Sequence, residues 1–123
     1  MNRDSLLRRA LWTAAAFNIG GALLFGFPGS AVAHLAGLPS EVPVPYRALL
    51  AMFILLFGGA YAWVARQAVI DRSLVAFGAI GKASAFAIVS VLWLLGDVPA
   101  RCVALMSGDL ALAAIFAWGL LRP

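Results

Sequence analysis

The sequence predicts an all-α membrane protein: a four-transmembrane-helix bundle with a short interfacial helix in the first external loop. Hydrophobic residues make up 64% of the 123 residues and charged residues only 11%, whereas soluble domains are roughly half apolar and a quarter charged. Four continuous apolar stretches, each near the about 20 residues that a helix needs to cross a bilayer, occupy residues 10–27, 48–65, 74–95 and 103–121. Little chain remains outside them, so residues 1–123 are predicted to form one integral membrane domain. Continuous rather than alternating apolar runs argue against a transmembrane β-barrel.

The first stretch follows three arginines and is predicted to be a retained helix. The small residues at 31–33 resemble a signal-peptide cleavage site. However, the apolar run is long for a signal peptide, and it contains Asn18 and the Gly20–Gly21 pair, which suit helix packing. We therefore expect no cleavage.

The connection between the first two stretches, residues 28–45, is the longest. Ser30 is a suitable N-cap for a short helix, and Gly37 is a suitable end for it. Pro39, Pro43 and Pro45 are expected to keep the following chain extended. The short helix is predicted to lie on the outer membrane surface or over the mouth of the bundle, as a connector or as a lid.

The other connections are short, so consecutive helices are predicted to be adjacent and antiparallel. With a cytoplasmic N-terminus, the inner side carries six arginines and the outer side two: Arg3, Arg8, Arg9, Arg66, Arg72 and Arg122 against Arg47 and Arg101. This bias predicts a multi-pass protein of a bacterial cytoplasmic (inner) membrane with both termini in the cytoplasm. It also accounts for the net charge of +4 without a nucleic-acid partner, because the cations lie at span ends and not on one face.

Few polar side chains fall inside the apolar stretches: Asn18, Tyr61, Lys82, Ser84 and Asp109. Helical rise places Asn18 and Lys82 about 12 Å from the inner edge and Asp109 about 18 Å from it. Such residues usually face the bundle interior or water. Asn18, Tyr61, Lys82 and Asp109 are therefore the predicted polar cluster and candidate ligand-binding residues.

An ion pair between Lys82 and Asp109 is one hypothesis for this cluster. Helical side chains lean toward their own N-terminus, so in antiparallel helices these two would diverge. Lys82 could instead extend to the cytoplasmic surface, and Asp109 could meet Arg101 or Arg47. A cluster that only fixes helix register is the structural alternative to a binding pocket or a proton path.

The sequence offers no recognisable catalytic machinery. It has no nucleophile–base pair and no phosphate-binding loop, and its single histidine (His34) and single cysteine (Cys102) suggest no metal or disulfide chemistry. We therefore predict no catalytic residues, no metal ligands and no cofactor, and we favour a protein without enzymatic activity.

Several features of the first half resemble the small bacterial DoxX-like group of four-helix membrane proteins. They are Phe27-Pro28 at the end of the first span, the segment 31–38 followed by Pro39, Tyr46-Arg47 before the second span, and Gly58-Gly59 within it. The resemblance implies a four-helix inner-membrane protein. Some members are associated with quinone-linked oxidation of sulfur compounds, but no redox-cofactor ligands in this sequence extend that role to it.

Three functions are compatible with these features. The first is an accessory or partner-binding subunit that contacts another membrane protein or further copies of itself. The second is binding of a small lipophilic ligand, such as a quinone or a lipid, at the polar cluster. The third is an oligomeric proton-coupled transporter of small molecules. In every case the lipid bilayer is the surrounding partner.

Overall fold

The chain folds into four long helices and one short helix in a computed structural model that describes residues 2–122. The helices are α1 (Arg3–Gly26), α2 (Ala31–Leu35), α3 (Val44–Arg66), α4 (Arg72–Leu94) and α5 (Ala100–Leu121). No strand occurs within residues 2–122, so the prediction of an all-α fold is confirmed.

Three of the long helices, α3, α4 and α5, have the length and composition to cross a membrane, whereas the sequence predicted four spans. The difference lies in α1, which is 24 residues long but carries Arg3, Asp4, Arg8 and Arg9 in its first turns. The other three expose large apolar side chains, as contact with lipid requires: Leu49, Phe53, Leu56, Ile80, Ile88, Leu94 and Leu110.

Each long helix begins before the apolar stretch that predicted it, and the difference is largest for α1 and α3. α1 begins at Arg3 because the Asn2 side chain caps it, accepting a hydrogen bond of 2.8 Å from the backbone N–H of Ser5. α3 begins at Val44, so the prediction that Pro45 stays extended is wrong. Proline is compatible with the first turn of a helix, where its missing N–H would have no partner in the helix.

The short helix predicted after Ser30 is present as α2. The Ser30 hydroxyl accepts a hydrogen bond from the N–H of Ala33 at 3.2 Å, and Gly37 follows the helix with φ of 77°. The buried thiol of Cys102 lies 3.3 Å from the Ala36 carbonyl oxygen and 3.2 Å from that of Gly37. These contacts fix the end of α2 against the start of α5.

The long helices pack with α1 lying antiparallel between α3 and α5, and with α4 along α5. The most extensive contacts join α1 to α3 and α4 to α5. α3 and α4 touch much less, so the predicted close adjacency of these consecutive helices is wrong for most of their length. Their contact is made by large rings: Phe57 and Phe77 are stacked with centroids 5.7 Å apart. Apolar side chains of all four long helices form the core: Leu7, Leu11, Ala14, Val64, Val75, Leu112 and Phe116.

Arginine side chains join neighbouring helices at the end of the bundle where α1 begins and α5 ends. The Arg8 guanidinium donates to carbonyl oxygens near the C-terminus of α3, those of Ala65 at 2.8 Å, Gln67 at 2.5 Å and Ala68 at 2.9 Å. The Arg72 side chain likewise donates to the Leu120 carbonyl near the end of α5. The last carbonyl groups of a helix have no hydrogen-bond donor within the helix, and these arginine side chains donate to them.

Candidate functional site

A buried polar cluster joins the four long helices near the middle of the protein. The Lys82 ammonium on α4 donates to Asp109 Oδ1 on α5 at 2.7 Å and to Asn18 Oδ1 on α1 at 3.0 Å. Asn18 in turn donates through Nδ2 to the backbone carbonyl of Ile54 on α3 at 3.0 Å. Lys82, Asn18 and Asp109 are the buried polar or charged residues among those described, exposed by 4%, 8% and 8%. The sequence predicted these three residues and Tyr61 as the cluster.

Two aromatic rings lie beside the Lys82 ammonium, which also lines the cavity described below. Its nitrogen lies 5.2 Å from the centroid of the Tyr61 ring and 5.3 Å from that of Phe17. Aromatic faces attract cations at these distances, and the attraction is stronger where water is excluded. Tyr61 therefore joins the predicted cluster through its ring, whereas the structure gives its hydroxyl no hydrogen-bond partner within residues 2–122.

Glycines next to the cluster residues make room for these rings. A Cβ atom on Gly78, one helical turn from Lys82, would lie 2.7 Å from Tyr61 Cε1. A Cβ atom on Gly108 would lie 2.7 Å from Phe17 Cε2. Both distances are too short for non-bonded carbon atoms, so only glycine lets these rings pack beside the cluster. Gly78 and Gly108 therefore provide the surfaces against which these two rings pack.

Lys82 and Asp109 pair directly. Lys82 does not extend to the protein surface, and Asp109 does not meet Arg101 or Arg47. Arg72 lies opposite Leu120, and in the same antiparallel register Lys82 lies opposite Asp109. The long lysine side chain then reaches the carboxylate across the helix interface. Ser84, the remaining polar residue predicted inside a span, is exposed and lies outside the cluster.

The polar cluster forms one end of a large cavity between the helices. The cavity has a volume of about 990 Å³ and extends from Lys82, Asp109, Asn18 and Tyr61 toward Phe27 and the start of α2. Its size is at the upper end of the range for small-molecule sites. Apart from the cluster the walls are almost wholly apolar, and they include Leu24, Phe25, Leu50, Phe53, Ile54, Ala85, Val89, Leu105 and Met106.

The cavity opens sideways where α3 and α4 separate. Phe53 on α3 and Ile88 on α4 both line it, and 52% and 60% of their surfaces are accessible. The opening lies between two of the helices that are long and apolar enough to cross a membrane. A smaller cavity of about 180 Å³ lies on the other side of Tyr61, against Phe57 and Phe77.

Sequence reasoning missed two contributors to this site. The Phe17 ring was not predicted to contact Lys82, although it directly precedes Asn18 and faces the small residue Gly108. The Ile54 carbonyl was missed because a backbone acceptor in a helix leaves no trace in the residue pattern. The cavity-lining residues of α3 and α4 could not be predicted from the sequence, because the cavity depends on the separation of these two helices.

Comparison with protein-family models, with curated proteins and with solved structures found no match for this chain. Within residues 2–122, no three His, Cys, Asp or Glu side chains come together in a way that could hold a metal ion. The polar cluster and the cavity that extends from it toward α2 are the features from which a function can be inferred.

Proposed function

We propose that this protein binds a small lipophilic molecule, such as a lipid or a quinone, in the cavity between its long helices. The observation that carries the proposal is the combination of an apolar cavity of about 990 Å³ with a polar cluster at one end. Ligand sites are typically concave and mostly apolar, with a few convergent polar groups. The cluster would hold the polar head of the ligand, and the apolar walls would hold its tail.

The cavity favours ligand binding over a purely structural role for the cluster. A cluster that only fixes helix register is expected within close packing, whereas here it borders a partly open cavity whose lining lacks packing contacts. An accessory or partner-binding subunit, the function that the sequence favoured first, does not by itself call for polar groups at the end of such a cavity. A proton-coupled transporter remains the third hypothesis.

The proposal includes a membrane topology with four spans. α1 is 24 residues long, packs along both α3 and α5, and places Asn18 in contact with Lys82. A helix that shares a buried cluster with three membrane-crossing helices is expected to cross with them. The excess of arginines at one side of the bundle supports a topology with both termini in the cytoplasm of a bacterial cell. In this topology the sideways opening of the cavity faces the lipid. Membership of the DoxX-like group stays a prediction.

The experiment that tests ligand binding fills the cavity without touching the cluster. Ala85 lines the cavity, whereas Ala83 on the same helix is exposed and lies outside the lining. The full chain, purified in a mild non-ionic detergent, is examined by native mass spectrometry as wild type, Ala85→Phe and Ala83→Phe. We expect a retained small molecule in the wild type and in Ala83→Phe, and its loss in Ala85→Phe.

Two results would contradict the proposal. One is a wild-type protein that retains no small molecule and takes up none when cetyl alcohol or decylubiquinone is added. The other is a bound molecule that Ala85→Phe and Ala83→Phe retain equally, since that molecule would lie on the outer surface.

A further inference from the structure

We infer that the head group of the ligand is uncharged and can accept a hydrogen bond, as in a long-chain alcohol or a lipid carbonyl. The inference rests on the proposed function, because it concerns the ligand of the same cavity. It excludes fatty acids and other lipophiles with an ionised head. The argument uses the charge balance and the hydrogen-bonding capacity of the polar cluster.

The cluster has no net charge to offer a charged ligand. Lys82 and Asp109 are the two charged residues among those that line the cavity, and they pair at 2.7 Å. Their charges cancel, and a transfer of the proton from nitrogen to oxygen would leave the sum at zero. A carboxylate or an ammonium brought to this end of the cavity would therefore remain uncompensated in an apolar, largely water-free site. Burial of such a charge is strongly unfavourable.

The cluster does have hydrogen-bonding capacity left for a neutral head group. A lysine ammonium has three donors, and two of them are directed to Asp109 Oδ1 and Asn18 Oδ1. One donor remains, together with Asp109 Oδ2 and the Tyr61 hydroxyl, for which the structure gives no partner within residues 2–122. A fully buried side-chain oxygen or nitrogen without a partner is found only at Ser90 among those residues, so Asp109 Oδ2 and the Tyr61 hydroxyl keep accessible surface.

The shape of the cavity sets the direction of the ligand. The charged groups and the Asn18 amide lie at one end, and over the next turns of α1, from Gly20 to Phe25, the lining residues are apolar. Ser30 also lines the far end, where its hydroxyl already accepts a hydrogen bond from the Ala33 N–H. The head group therefore contacts the cluster and the tail points toward α2 and the gap between α3 and α4. A hydroxyl could donate to Asp109 Oδ2 and accept from Lys82, whereas a carbonyl would only accept.

The test compares three probes that share one alkyl chain and differ in the charge of the head group: cetyl alcohol, palmitate and cetylamine. Each is titrated separately into the full chain in a non-ionic detergent at mildly alkaline pH, where palmitate is ionised, and bound complexes are counted by native mass spectrometry. We expect cetyl alcohol to bind tighter than either charged probe by on the order of tenfold or more, because the charged heads lose hydration without gaining a counter-charge.

A charge change in the cluster then provides a second, independent readout. In Asp109→Asn the Lys82 ammonium has no counter-ion, so palmitate should become the preferred probe. The exposed variant Ala83→Phe should keep the wild-type order. If wild-type protein binds palmitate as tightly as cetyl alcohol, the inference about the head group is wrong while ligand binding stands. If none of the three probes binds to wild-type protein that carries no retained small molecule, and decylubiquinone does not bind either, the proposed function itself is wrong. The wild-type series decides both questions even if Asp109→Asn does not fold.

Discussion

The Lys82 ammonium lies 2.7 Å from Asp109 Oδ1, and this pair joins α4 to α5 at one end of the internal cavity. Both residues are more than nine-tenths buried, and Asn18 and two aromatic rings complete the surroundings of the ammonium. The pair thus contributes to helix packing and to the lining of the cavity at once. Variants of its residues should therefore affect stability and ligand binding in separable ways.

Removing one partner of the pair should destabilise the protein strongly. Lys82→Met leaves the Asp109 carboxylate buried without a counter-ion, and loss of one partner of a buried pair costs about 3–5 kcal/mol. The double variant Lys82→Met/Asp109→Leu removes both charges and should recover most of this loss. The measurement is unfolding in a denaturing-detergent titration of both variants and the wild type. Equal stability of the single and double variants would show that burial of the unpaired Asp109 carboxylate is not the source of the loss, contrary to this prediction.

The close contact between Gly78 and Tyr61 should make Gly78 intolerant of a side chain. In Gly78→Ala the new Cβ would meet Tyr61 Cε1 at 2.7 Å, and the ring cannot easily move because it packs against Phe116, with centroids 5.8 Å apart. Overpacking of this kind costs about 1–3 kcal/mol. The matched control is Gly59→Ala, where the new Cβ has nothing within 4 Å and should stabilise the helix by up to about 1 kcal/mol. A stabilising Gly78→Ala in the same titration would contradict this packing.

Two neighbouring arginines should differ sharply in their effect on stability. Arg8→Met removes a guanidinium that donates to three carbonyl oxygens near the end of α3, and hydrogen bonds to charged groups contribute about 1.5–3 kcal/mol. Arg9→Met makes the same change of charge at an exposed position and should alter stability by less than about 0.5 kcal/mol. Thermal unfolding in mild detergent measures both. Equal losses would mean that charge alone, rather than these hydrogen bonds, accounts for the effect.

The contact between α2 and α5 should control access to the Cys102 thiol. Gly37 has a φ of 77°, and a Cβ there would lie 2.5 Å from Pro99 Cγ, so Gly37→Ala should loosen the end of α2. The thiol, now buried beneath the Ala36 and Gly37 carbonyls, should then react several-fold faster with a maleimide. Gly29→Ala, with nothing within 4 Å of its new Cβ, is the control and should react at the wild-type rate. No change in Gly37→Ala would show that α2 does not protect the thiol.

Composition and apolar run length predicted the helices well, because these properties are local. The boundaries were less accurate at Arg3 and Val44, since hydropathy marks where a chain is apolar and not where its backbone stops being helical. Capping by Asn2 and the position of Pro45 in a first turn extend the helices past the apolar stretches. In α1 the first turns carry Arg3, Asp4, Arg8 and Arg9, so its apolar part is shorter than the helix itself.

The sequence by itself determined that the chain is helical, that apolar faces dominate it, and that Asn18, Tyr61, Lys82 and Asp109 are its candidate cluster. Only the tertiary structure decided that Lys82 meets Asp109, that Arg8 and Arg9 differ in their contacts, and that α3 and α4 separate to leave a cavity. Periodicity and composition are properties of one segment at a time. Register, side-chain rotamers and the gap between two helices depend on how segments pack, and they follow from ring and glycine contacts between residues far apart in the chain.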